Sequence, residues 1–131
     1  MNSQYIYLCI VHVTECYLGG WLNTTDPNIL HWMKGKVISK DKCELSDMKL
    51  GPMELCFRAS HSTLRTCSGD PGGPLVCLDE NRVVITGVLN FGYDDGTGYC
   101  GKKEIGDIFT NVSHFLSWIQ AFMEPKEVFT Q

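Results

Sequence analysis

Thr66-Cys67-Ser68-Gly69-Asp70-Pro71-Gly72-Gly73-Pro74-Leu75-Val76-Cys77 is the stretch on which the reading of this chain turns. Glycine and proline crowd its centre, and a cysteine closes each side. Glycine supplies positive φ and proline fixes φ at about −65°, so this composition specifies a tight turn of fixed shape. A turn built in this way holds something in place.

Around it lie 131 residues, 44% hydrophobic and 20% charged, enough for one compact domain and too few for two ordinary ones. A net charge of −4 and a pI near 5.5 argue against nucleic acid or an anionic membrane surface as partner. No basic run is visible in the sequence. Seven cysteines at spacings unlike a zinc pattern point to an oxidising compartment rather than a metal site. Their spacing alone leaves the connectivity open. Two N-glycosylation sequons, at Asn23 and Asn111, agree with a secretory route. The apolar run Tyr5–Val13 is too short to span a membrane and lacks the flanks of a signal peptide. Its β-branched and aromatic residues suit a strand.

The quoted stretch resembles the nucleophile loop of the trypsin-like (chymotrypsin-fold) serine proteases, C-x-G-D-S-G-G-P-L-V-C, at every position from Cys67 to Cys77 except Pro71. In that family the loop presents a serine Oγ, and the backbone N–H groups of that serine and of the glycine two residues earlier bind the oxyanion. The resemblance thus puts Pro71 in the nucleophile's place and leaves Gly69 as the remnant of the oxyanion hole. Cys67, Asp70, Gly72 and Gly73 complete the loop.

The likeness extends along the chain. Cys16–Trp21 resembles the C-x-x-x-G-W-G strand that opens the second barrel, with Leu22 where the family has its last glycine. Residues 22–30 read as a polar surface loop. His31–Ser39, Lys40-Asp41-Lys42 and Cys43 resemble a strand, a short helix and a cysteine, and Met53–Cys56 resembles the N-M-L-C segment. Arg82–Leu89, a β-branched run after Asp79-Glu80-Asn81, predicts a hairpin. Asn90-Phe91-Gly92 falls where the family has S-W-G, beside the specificity pocket. Ile108–Val112 resembles V-Y-T-x-V. Phe115, Leu116, Trp118, Ile119 and Phe122 recur at helical spacing behind Asn111 and Ser113, which predicts a C-terminal helix packed on the barrel.

The resemblance implies an all-β domain over residues 15–123, a single six-stranded antiparallel barrel of the trypsin type with a C-terminal α-helix. Residues 1–14 form an N-terminal segment with a possible strand, and residues 124–131 a flexible tail. It also implies the bridges Cys16–Cys77, Cys43–Cys56 and Cys67–Cys100, with Cys9 left over.

Only the second of the family's two barrels is matched. The first carries the general-base histidine in an A-A-H-C context and the orienting aspartate in D-I-A-L, and neither motif occurs here. His12, His31, His61 and His114 lie outside any such context and read as surface or packing residues. Asp70 matches the aspartate that pairs with a new N-terminal amine after zymogen cleavage; without an R-I-V-G-G segment it reads as a solvated or loop-capping carboxylate. Arg65 stands where trypsins carry the aspartate of the pocket floor, and Asp107 lies at or beside the pocket glycine. These two charges either neutralise each other or are separately solvated. The acidic insert 93–99 is a binding loop or plain surface.

The function implied is that of a catalytically inactive protease homologue, secreted, without cofactor or metal. It would bind a protein partner through the face that the missing barrel leaves uncovered, with no nucleic acid and no membrane span. The alternatives are an endopeptidase fragment or subunit completed by a separate first barrel, and a non-functional truncated product.

Overall fold

The computed structural model describes residues 15–24, 26–43, 49–60, 64–67, 70–91, 100 and 106–123. Within them six strands form: β1 (Cys16–Gly20), β2 (His31–Ile38), β3 (Glu54–Ala59), β4 (Pro74–Asp79), β5 (Arg82–Phe91) and β6 (Asp107–Asn111). They close into one barrel in the order β1-β2-β3-β6-β5-β4, every neighbouring pair antiparallel. Closure leaves none of these strands as an unpaired edge.

The strand period of two sorts the side chains. Leu18, Met33, Leu55, Phe57, Leu75, Leu89 and Phe109 meet inside the barrel together with the Cys16–Cys77 disulfide. Phe57 and Phe109 lie edge to face at 5.9 Å, a favoured arrangement for aromatic pairs. A second, smaller core joins Cys43, Cys56 and Ile108, flanked by Ile38 and Leu50. Here the Cys43–Cys56 bridge ties the 3-10 turn Lys40–Lys42 and its cap Cys43 to β3. The third bridge, Cys67–Cys100, spans 33 residues of chain. Each such cross-link is worth about 2–4 kcal/mol in the chain-entropy account.

The hairpin forecast after β4 is present, with Asp79 opposite Arg82 across the turn Glu80–Asn81. Register shifts mark β4 between Leu75 and Val76, and β5 between Leu89 and Phe91. The second leaves Asn90 between the paired residues, where Thr110 Oγ1 donates to Asn90 Oδ1 at 2.7 Å. Such bulges bend a strand and redirect its next side chain; Phe91 is 39% exposed.

The C-terminal helix forms, but its packing differs from expectation. Asn111 caps a 3-10 turn, Val112–Phe115, its Oδ1 accepting from the Ser113 N–H at 3.2 Å, and helix α1 follows over Leu116–Met123. No residue of α1 is buried. Trp118 and Phe122 are 64% and 76% exposed and lie against each other at 5.2 Å. Phe115, Leu116 and Ile119 are half-buried while Trp118 and Phe122 face outward. The N-terminal segment 1–14, Cys9, and the tail 124–131 lie outside the described residues.

Candidate functional site

Asp70–Gly73 forms a type II turn. The Gly73 N–H donates to the Asp70 carbonyl at 2.9 Å, Gly72 takes φ 90°, and Pro71 fills the position where this turn favours proline. A Cβ on Gly72 would meet nothing within 4 Å, so the backbone angle rather than crowding calls for glycine. The turn is clamped to β5 twice: the Gly72 N–H donates to the Leu89 carbonyl at 2.8 Å, and the Leu89 N–H to the Gly73 carbonyl at 2.9 Å. Pro71 is exposed at its tip, and proline offers neither a hydroxyl nor an N–H.

Behind the turn, Asp70 is 2% exposed. Its Oδ1 accepts from the backbone N–H groups of Trp21 at 2.8 Å and Leu22 at 3.0 Å, and its Oδ2 from that of Cys67 at 2.8 Å. Asp70 is therefore the loop-capping carboxylate of the two readings and not the solvated one. Two of these charge-assisted hydrogen bonds join the end of β1 to the loop, and the third closes the loop on itself. A Cβ on Gly20 would lie 2.6 Å from Asp70 Oδ1, so glycine at that position admits the carboxylate. Leu22 is the residue the sequence leaves unexplained: it takes φ 57°, a left-handed backbone, yet is only 4% exposed within the core.

Asp107 sits at the start of β6, 7% exposed, opposite Phe57. The Thr66 hydroxyl donates to its Oδ1 at 2.6 Å. Burial pushes the Asp107 carboxyl up to about 6; the Thr66 hydrogen bond pulls the other way, and the neighbouring Asp70 carboxylate adds to the rise. Neither expectation for Asp107 holds. It is not solvated, and the described groups acting on it are Thr66 and Asp70, not Arg65. Arg65 instead anchors its segment through its backbone, the N–H donating to Asn23 Oδ1 at 2.8 Å. Thr66 was legible only as the residue before Cys67. A buried carboxylate needs a donor, and only the folded barrel shows which residue supplies it.

Asn111, expected as a glycan acceptor, spends its amide inside the fold. Its Nδ2 donates to the Pro52 carbonyl at 3.3 Å, its Oδ1 caps Ser113, and it is 9% exposed. Asn23, in contrast, is exposed.

Of the expected site residues, Cys67, Asp70, Pro71, Gly72, Gly73 and Asp107 come together around the turn, joined by Thr66. Gly69, Gly92, the insert 93–99, His12 and His61 lie outside the described residues. His31 faces Gly20 across β1 and β2, and His114 lies edge-on to Phe115 at 5.1 Å. Among the described residues no group of three or more His, Cys, Asp or Glu is arranged to hold a metal ion, and no helix is long and apolar enough to cross a membrane.

Comparison with known proteins agrees with this geometry. The family model described as Trypsin matches residues 8–119. Kallikrein-8 of Rattus norvegicus is 31% identical over 126 residues, 92% of this chain and 45% of that protein. Trypsin of Sus scrofa is 30% identical over 119 residues, 86% of this chain and 47% of that protein. A solved structure, neuropsin, a serine protease expressed in the limbic system of mouse brain, superposes with a TM-score of 0.67 at 30% identity, covering 86% of this chain and 49% of its own. The chain spans about half the length of these relatives. With a family match over most of its length and one closed six-stranded barrel, the chain belongs to the trypsin family.

Proposed function

We propose that this chain is a catalytically inactive, partial member of its family that acts by binding a protein partner. One observation carries the reading: the turn at Asp70–Gly73 is intact in every hydrogen bond described, yet its tip, the place of the family's nucleophilic serine, is Pro71. A nucleophilic mechanism of this type needs a hydroxyl, a base within reach, a group orienting that base and paired oxyanion donors. Pro71 supplies neither the hydroxyl nor the N–H, and among the described residues no hydrogen bond links His31 or His114 to the turn. The residues that the resemblance assigns to a pocket, Arg65, Asn90, Phe91, Gly92 and Asp107, would then have no chemical step beside them.

The outer face of β4 and β5 supports the binding half of the proposal. Leu78 stands opposite Val83, Val76 opposite Ile85 and Pro74 opposite Val88. Of these, Val83 and Ile85 are 70% and 58% exposed. Exposed apolar rows of this kind mark interaction surfaces. The three disulfides and the exposed Asn23 sequon support secretion with a glycan on Asn23.

Incubation with a mixed peptide library, followed by mass spectrometry, is expected to give no new peptide ends. Cleavage that scaled with the chain and was blocked by a serine-protease inhibitor would overturn the proposal. Cleavage only after adding a separate first barrel would favour the endopeptidase-subunit reading.

A further inference from the structure

The chain is acidic overall, yet Lys34, Lys36, Lys40, Lys42, Lys49 and Arg58 place six of its 11 Lys and Arg residues between positions 34 and 58. Asp41, Glu44, Asp47 and Glu54 share that span, so the sequence shows no basic run. Strand register sorts the charges. Trp32, Lys34 and Lys36 are exposed on one pleat of β2, alternating with buried Met33 and Gly35. Successive positions on such a pleat are about 7 Å apart. Arg58 on β3 is the direct partner of Lys36 and points to the same side. Its Nη2 donates to the Lys42 carbonyl at 2.6 Å, which brings the exposed Lys42 to the same end of the face.

Like charges directly opposite one another cost about 0.2–1 kcal/mol, and no carboxylate among the described residues pairs with Lys36 or Arg58. Arg58 Nε is buried without a hydrogen-bond partner. Of the strip's cations, Lys34 alone has a described carboxylate, Glu15, at 2.9 Å. At the other end Trp32 is 51% exposed, its ring lying over Gly19, where a Cβ would come within 2.9 Å of it. The barrel order puts this face on the opposite side from β4 and β5.

We propose that the outer face of β2 and β3, running from Trp32 through Lys34, Lys36 and Arg58 to Lys42, binds a sulfated polysaccharide. A row of cations suits a linear polyanion. The open indole face offers a platform for the C–H side of a sugar ring. The flanking strands are all paired, so an acidic peptide could not add as a strand. The proposal is independent of inactivity and of the β4–β5 face.

Chromatography of the full chain on immobilised heparin at neutral pH tests it. The natural chain is expected to be retained at ~0.15 M salt, and Lys36→Ser with Lys42→Ser to bind at least about tenfold more weakly. The log–log salt slope should fall by about two, because two released counterions are lost. Arg82→Ser, whose side chain pairs with Asp79 elsewhere, should elute as the natural chain does. A natural chain that passes unretained overturns the proposal. So does a double variant, folded by circular dichroism, that is retained unchanged, or competition by polyglutamate as effective as by heparin, which would assign the face to acidic peptides.

Discussion

Asp107 is a residue whose ionisation the fold disfavours. Its folded pKa of about 6 lies above the ordinary carboxylate value, so the folded state holds the proton more tightly than the unfolded chain. The stabilising effect of that proton is fully present below about pH 4 and is lost as pH rises through about 6. Taken alone, the shift of roughly two units corresponds to about 2–3 kcal/mol between those limits. Asp107→Asn should remove this dependence and be more stable than the natural chain at pH 7.5. Urea titrations of both proteins at pH 4.5 and pH 7.5 read the difference directly, and parallel pH dependence in the two would refute it. Leu22 poses a contest of magnitudes. A left-handed leucine costs about 1–2 kcal/mol, while loss of a buried leucine costs about 2–5 kcal/mol. Leu22→Gly should therefore be destabilised by about 1–3 kcal/mol, despite restoring the residue type whose backbone angle the site prefers. A gain in melting temperature would show that strain, not packing, dominates there.

At the scale of elements, the strands were the legible part. Cys16–Gly20 and Ile108–Asn111 could be placed by their resemblance to the family's strands, and the hairpin at Glu80–Asn81 because a turn followed by a β-branched run declares itself locally. Which side of α1 meets the barrel could not be read, since helical spacing shows that apolar residues share a side but not that the barrel covers it. The sorting of basic residues onto β2 and β3 was likewise invisible, because register is a property of two strands. Nor could Thr66 be assigned to Asp107, 41 residues away. Because Trp118 and Phe122 face outward, Trp118→Ser with Phe122→Ser should cost less than about 0.5 kcal/mol per site in thermal unfolding. A loss above about 2 kcal/mol for the pair would mean that the helix packs by its aromatic side after all.

For the whole molecule, one closed barrel answers to about half the length of its relatives, and two of its outer faces differ in kind. The apolar rows on β4 and β5 should make the purified chain bind a hydrophobic dye or self-associate, and Val83→Asp with Ile85→Asp should suppress both. A natural chain that stays monomeric at high concentration and silent to the dye would remove the proposed docking face. The central claim concerns the turn held by both the end of β1 and β5: a shaped loop around a residue that cannot attack. Its most direct test is treatment of the natural chain and of Pro71→Ser with a fluorophosphonate probe, read by intact mass. Both should stay unlabelled, since the substitution restores a hydroxyl and an N–H but no base to activate it. Labelling of the natural chain would show that another serine serves as nucleophile, and would contradict the account.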